Sequence, residues 1–363
     1  MTTEQLGWLR LHLTPGLGRV GLLRLMRTLG DPETILNASP VAWQAAGVRP
    51  AIAAEVTPLD HPRCLEARRS LEQCSARIVS LDDPLYPARL KTIHDPPALL
   101  YLRGNLPETP ALAVVGARRA SDAGRRFAGE VCSELAAHGV TVVSGLARGI
   151  DTAAHQGALL GGGPTVAVLG CGIDQVYPPE NARLFDEVVV NGAILSEYPP
   201  GTEPLPGHFP GRNRIISGLC QGVMVVEAAG KSGSLITAEF ALEQGREVFA
   251  VPAPVYCATG EGVNRLLKDG AHLVTCAKDI LEVLHITQKQ RSQEIDPWIE
   301  SLQGDELALY LCLDEEPRHV DELARKCGLT PMGVSAILLH LELQGGVEQL
   351  PGMRYARRQQ RRH

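Results

Sequence analysis

Aromatic residues are scarce in this chain: five Phe, seven Tyr and three Trp make up 4% of 363 residues. That scarcity argues against an all-β sandwich or barrel, whose strands favour aromatic and β-branched side chains. Disulfide and zinc spacing is missing too. Nine cysteines are scattered without a C-x-x-C pair. An odd, dispersed set reads as reduced thiols, which suits the cytoplasm and excludes a disulfide framework or a structural zinc site. No apolar run is long enough to span a bilayer, and Met1 to Trp8 carries no signal-peptide pattern, so neither a membrane nor a secreted protein is expected. Positive charge is not in excess, since 35 Lys and Arg face 41 Asp and Glu for a net charge of −6. A basic nucleic-acid coat is excluded, and any anion binding must come from a local patch.

What the chain does have is glycine (37) and proline (26), the residues of tight connections. Residues 1–75 read as a small helical domain. Trp8 to Leu11, then T-P-G-L-G-R-V-G, then Leu22 to Met26 form helix, glycine turn, helix. This is either a helix-hairpin-helix that docks a phosphate or a plain helical domain. Residues 76–110, rich in Pro and Asp, read as an extended connector into the main domain. From 111 to about 280 the pattern is strand–helix alternation. Apolar runs stand at Leu112–Val115, Val140–Val143, Thr165–Leu169, Ala193–Leu195, Val223–Val226 and Val248–Val251, and Phe127, Val131 and Leu135 have helical spacing before Gly139. The expected fold is α/β, a doubly wound, mostly parallel sheet, with ligands outside the carboxyl ends of the strands. Residues 286–297 read as a polar linker. Residues 298–356 carry helix-turn-helix spacing and a hairpin around Pro351-Gly352, hence a winged helix, and 357–363 form a basic tail.

The run Leu112-Ala113-Val114-Val115 enters Gly116-Ala117-Arg118-Arg119-Ala120-Ser121, a glycine turn with two arginines before a helix. Backbone N–H groups at a helix N-terminus favour an anion, most naturally a phosphate. Known nucleotide signatures nearly match and fail. Arg118 stands where a dinucleotide fingerprint needs its second glycine, and no acidic residue ends the next strand. Gly230-Lys231-Ser232 resembles a P-loop end, but its leading glycine falls on Val225. What remains is a set of strand-end loops beginning at Gly116, Ser144, Leu169, His208 and Gly230. Gathered on one sheet edge, they would line a groove with Arg118, Arg119, Arg148, Arg212, Arg214 and Lys231, among small residues such as Gly145 and Gly149. That suits an extended phosphodiester better than one small phosphate. Phe209 in the basic loop is either a stacking surface for a base or an anchor for the loop. Asp151 and His155, four apart on one helix, are either an acid/base pair or a capping aspartate and a surface ion pair.

Seven ordered motifs between Gly116 and about Gly270 resemble the DNA-processing protein A family (DprA, also called Smf). They are G-A-R-R-A-S, S-G-L-A-R-G-I-D-T-A-A-H, A-V-L-G-C-G-I-D-Q-V-Y-P, L-S-E-Y-P-P-G-T, F-P-G-R-N-R-I-I-S-G-L, V-V-E-A-A-G-K-S-G-S-L-I-T-A and G-V-N-R-L-L-K-D-G-A. The resemblance implies a Rossmann-like core that binds single-stranded DNA, without catalysis, cofactor or metal, and that loads the RecA recombinase during natural transformation. It implies Arg118 as the leading phosphate contact, supported by Arg119 and Ser121, with Arg212-Asn213-Arg214 and Lys231-Ser232-Gly233-Ser234 closing the groove. The family often has a lysine shortly before F-P, where this chain reads Leu205-Pro206-Gly207-His208, so that contact would pass to Arg212. A homodimer through the late core would use Leu266, Leu267 and Leu273. The helix Thr330–Leu343 offers few polar side chains for reading bases, so the winged helix is expected to contact protein or to act as an accessory. A competing reading is an enzyme. Gly230 to Glu239 loosely resembles the motif of lysine-decarboxylase-like phosphoribohydrolases, with Glu239 as acid/base and Arg212 as phosphate clamp.

Overall fold

The computed structural model describes residues 1–286, 302–313 and 317–357. The expected linker beyond Ile286 and the basic tail beyond Arg357 lie outside the described residues. The chain forms two compact units, residues 1–289 and 290–363.

The first unit is built on a nine-stranded sheet. Its strands are β1 (Arg77–Ser80), β2 (Leu99–Gly104), β3 (Ala111–Val115), β4 (Thr141–Ser144), β5 (Thr165–Gly172), β6 (Gly192–Tyr198), β7 (Gly222–Val225), β8 (Glu247–Ala250) and β9 (His272–Leu273). Their order is β1-β2-β6-β5-β4-β3-β7-β8-β9. From β3 to β6 the chain winds one way, and from β7 to β9 it winds the other. The winding reverses between the neighbours β3 and β7, which pair in parallel with Val115 opposite Val225. A crevice outside the carboxyl ends of two strands at such a reversal is where ligands bind in this architecture.

Strand β3 shows why both faces are covered. Leu112 and Val114 pack with Val131, Leu135 and Ala154 of the helices Asp122–Ala137 and Ile150–Leu160. Ala113 and Val115 pack on the opposite face with Ile215, Ile216 and Ala238 of the helices His208–Leu219 and Gly233–Glu243. A strand buried on both faces reads as an unbroken apolar run rather than an alternation.

Residues 76–110 depart from the expected connector. Two segments of this stretch are β1 and β2, which extend the sheet antiparallel through Tyr101 opposite Ser196. The prolines and aspartates mark the turns only, while Ala98 to Leu102 is buried. The N-terminal helices, from Thr3–His12 to Pro62–Gln73, share a core with this edge of the sheet. Trp8, Leu25 and Leu71 cluster with Tyr101, Leu169 and Phe185. The second unit pairs β10 (Arg318–His319) and β11 (Val347–Leu350) with β12 (Arg354–Arg357), beside the helices Val320–Cys327 and Pro331–Leu343. This is a winged helix, with Gly328 in the left-handed conformation stopping the first helix.

Candidate nucleic-acid interface

A groove of about 490 Å³ opens at the reversal point. Gly116, Arg118, Phe209, Arg212, Asn213, Ser232, Gly233 and Ser234 line it, with Asp151 and Tyr177. Arg118 is exposed, and its guanidinium lies 4.9 Å from the centre of the Phe209 ring. Arg212 lies 5.9 Å from the same ring, so the aromatic face holds two cations by its quadrupole. Tyr177 tilts against Phe209 at 5.9 Å, and Gly170 leaves room for the ring edge. Phe209 is half-buried, lines the groove and carries both guanidinium groups near its ring. The segment 208–214, read from sequence as a loop, is the start of the helix His208–Leu219. Pro210 is tolerated there because the first turn has no intrahelical partner for its missing N–H.

The helix after Ser121 does not offer its N-terminus to a ligand. Ser121 caps it by accepting from Gly124 N–H at 2.9 Å, and the Ser121 hydroxyl donates to Glu227, whose carboxylate also accepts from Ser121 N–H at 3.0 Å. An internal carboxylate takes the place foreseen for a phosphate, which corrects the role given to Ser121. Sequence reasoning missed Glu227, although it stands in the V-V-E-A-A motif. The open N-terminus at the groove belongs instead to the helix Gly233–Glu243. Ser232 caps it, and no acidic residue lies in its first turn. Such an end carries a partial positive charge and spare N–H donors. Asn213 Nδ2 donates to the Gly233 carbonyl at 3.2 Å and ties the two groove walls together.

Three further expectations are corrected by burial. Arg214 is turned inward in a two-pronged pair with Glu197, at 2.9 and 2.6 Å, and its Nε donates to the Asp95 carbonyl at 3.1 Å. Ser144 is fully buried, its hydroxyl donating to the Val114 carbonyl at 2.6 Å. Asp151 and His155 are buried and do not form a surface ion pair. Asp151 accepts from Gly145 N–H at 3.1 Å and Ala147 N–H at 3.4 Å. Burial pushes its carboxyl up, against the pull of Arg212 and these N–H groups. His155 shares a hydrogen bond of 2.7 Å with Thr165 Oγ1, and burial, helped by the Arg212 charge, lowers its pKa to about 3.

Arg212 is only 4% exposed. It donates to the Gly145 carbonyl at 3.1 Å, while its Nε has no partner. Burial and the nearby Arg118 charge both work against its protonated form, and Asp151 favours it. Arg212 is thus a largely buried positive charge at the groove lining. A Cβ on Gly145 would stand 1.5 Å from its guanidinium, so glycine there is what admits it. Gly149 has φ +76°, and a Cβ there would stand 2.3 Å from the Ala117 carbonyl oxygen. Outside the groove lining, Arg119 and Lys231 are exposed, and Arg148 pairs with Glu180 on the surface. Among the described residues neither Arg118, Arg119 nor Lys231 has a carboxylate partner. Glu239, the acid of the competing enzyme reading, is exposed along its helix and does not line the groove. Leu266 and Leu267 pack partly against the core, and Leu273 on edge strand β9 is 54% exposed. No group of three His, Cys, Asp or Glu able to hold a metal occurs among the described residues.

Comparison with known proteins gives the same region weight. Residues 77–285 match the model of the family described as DNA recombination-mediator protein A, and residues 293–353 match the DprA winged helix domain. The chain is 35% identical to Protein Smf of Synechocystis sp. over 98% of its own length and 99% of that protein. It is 48% identical to DNA processing protein DprA of Streptococcus pneumoniae over 56% of its length and 72% of the relative's. The X-ray structure of DNA processing protein A from S. pneumoniae superposes with a TM-score of 0.67 at 39% identity, covering 78% of this chain and 98% of that one. A solved structure of DNA processing protein A from Helicobacter pylori, which concerns its single-stranded DNA binding mode, gives a TM-score of 0.52 at 31% identity over 57% and 95%.

Proposed function

The chain belongs to the DNA recombination-mediator protein A family, and on that premise we propose that it binds single-stranded DNA in the groove between β3 and β7. The observation that carries the reading is a trio of exposed, unpaired cations, Arg118, Arg119 and Lys231, in a chain of net charge −6. Arg118 stands over the Phe209 ring, and Lys231 directly precedes the cap of a helix N-terminus free of acid. The H. pylori relative's single-stranded DNA binding mode supports the same ligand. Phosphates would track the cations, and bases would lie over Tyr177 and Phe209. The reading assigns no catalytic residue.

Fluorescence anisotropy of a labelled oligo-dT across a salt series tests it. With three exposed cations engaged, log K should fall with log salt at a slope of about −2, and Arg118→Ala should weaken binding and flatten the slope by about 0.7. Absent binding, or an unaffected variant, would sink the proposal. A homodimer through β9 and the helix Glu261–Lys268 is part of the same reading, because Leu273 is an exposed apolar side chain on an unpaired sheet edge. Light scattering should then report a dimer for the native chain and a monomer for Leu273→Arg. Transfer of the DNA to RecA completes the reading. RecA filaments should nucleate faster on DNA already bound by this protein, and an unchanged lag would remove that step.

A further inference from the structure

The N-terminal helices carry a second concentration of positive charge, which the groove does not use. No Asp or Glu occurs between Gln5 and Gly30, nor between Ala38 and Ala54, in a chain of net charge −6. The helix Arg19–Leu29 exposes Arg24 and Arg27, whose spacing sets them on one side of it. Arg49, just before the helix Pro50–Ala53, is exposed as well. Arg24 Nη1 donates to the Gly47 carbonyl at 3.4 Å, and a Cβ on Gly16 would stand 3.8 Å from Arg49 Nη2. Arg24 and Arg49 thus meet beside the glycine turn that joins the first two helices, and Arg27 extends the surface along the second. Among the described residues none of the three pairs with a carboxylate. Like charges left unneutralised beside one another repel, and an anionic chain laid over them relieves that repulsion.

This surface is tied to the groove. Arg19 opens the same helix and pairs with Asp95 Oδ2 at 3.1 Å, and that oxygen also lies 3.4 Å from Arg214 Nε in the groove helix His208–Leu219. Asp95 comes shortly before β2, which runs antiparallel to β6. It therefore sits at the carboxyl end of β6, on the sheet edge where the groove opens. Tyr198, which ends β6, stacks on His208 at 4.2 Å. Burial and then Glu197 raise the pKa of Tyr198, while Arg214, Arg19 and Arg212 pull against them, so its phenol is within electrostatic reach of both the hairpin and the groove.

We propose that the arginine surface of the N-terminal hairpin is a second phosphate-binding segment for the same DNA strand. A strand leaving the groove past Phe209 and His208 would run by Arg19 and lay its phosphates along Arg24, Arg27 and Arg49. The forked donors of guanidinium suit phosphate oxygens. The two aromatic residues of the helical domain, Trp8 and Trp43, are buried, so this segment holds the backbone without stacking on bases and is blind to sequence. The inference rests on the single-stranded DNA reading of the groove and lengthens its site.

The test is anisotropy with labelled oligo-dT from about 4 to about 20 nucleotides, across a salt series. Native chain and the triple variant Arg24→Ala/Arg27→Ala/Arg49→Ala should bind the shortest oligomers alike, with the slope of about −2 that belongs to the groove alone. On the longest, the native slope should steepen to about −4, while the variant stays near −2 and binds about tenfold or more weaker. All three positions are exposed, so the melting temperature should not change. The matching triple lysine variant keeps the charge and should keep the length dependence. Arg118→Ala should weaken every length. Failure of the groove reading therefore appears in that variant, and failure of this inference in the hairpin variant. The proposal is overturned if the alanine variant follows the native chain at all lengths, if it loses as much affinity for the shortest oligomers as for the longest, or if the lysine variant is as weak as the alanine one.

Discussion

Arg118 and Arg214 lie close in sequence logic and far apart in physical role. Arg118 is exposed and stands over the Phe209 ring, with no carboxylate partner among the described residues. Replacing it by alanine should change stability by no more than about 0.5 kcal/mol, as for an ordinary surface site, while DNA affinity falls. Arg214 is buried in a pair with Glu197. Arg214→Ala leaves that carboxylate buried without its cation, and urea denaturation should show a loss of about 3–5 kcal/mol. Equal stabilities for the two variants would refute this division of labour. The G-A-R-R and R-N-R motifs contain both arginines without distinguishing them. Which one faces solvent depends on the helix His208–Leu219 and on Glu197 across the sheet, and neither is legible at the motif itself.

Two helices of the core give predictions of their own. The helix Ile150–Leu160 buries His155, whose folded pKa of about 3 is well below its ordinary 6.5. The folded state therefore binds fewer protons than the unfolded chain between those values. This stability is present above pH 6.5 and is lost as pH falls towards 3, at up to about 1.4 kcal/mol per pH unit. Between pH 7.5 and 5.0 the His155 contribution should fall by about 2 kcal/mol, and His155→Gln should remove that part of the pH dependence. Asp151, pushed up by burial, acts with the opposite sign above its ordinary carboxylate range, so the difference between native and variant is the quantity to measure. A parallel pH dependence in the two proteins would show that His155 is not buried as a neutral ring. The helix Pro331–Leu343 presents Met332, Leu339 and Leu343 to solvent, each more than half exposed. That apolar face lacks the arginines, lysines and amides that read base edges.

At the scale of the whole molecule, the two units have separate cores, one around the nine-stranded sheet and one around Leu309, Leu323 and Leu338. The exposed cations Arg118, Arg119 and Lys231 all belong to the first unit. A protein lacking residues 297–363 should therefore keep its single-strand affinity to within about tenfold, read by anisotropy. A larger loss would place DNA contacts in the second unit. Removing only residues 358–363 separates the arginine tail from the winged helix in the same assay, since non-specific affinity follows the number of cations.

By itself, the amino-acid order determined the alternation of apolar runs and helices, and with it the doubly wound sheet. Runs such as Leu112–Val115 and Val223–Val226 are local and hydrophobic on both faces. Gly116, Gly145 and Gly149 likewise marked the edge where the groove forms. The tertiary structure decided how the charges are used. Glu227, distant in sequence from Ser121, fills the first helix N-terminus. Glu197 and Asp95 draw Arg214 inward, and Asp151 shares the interior with Arg212. The same holds for β1 and β2, whose pairing partner β6 lies far along the chain. Hydrophobic periodicity is a property of neighbours in sequence, whereas burial and charge pairing depend on neighbours in space, which exist only once the sheet has closed.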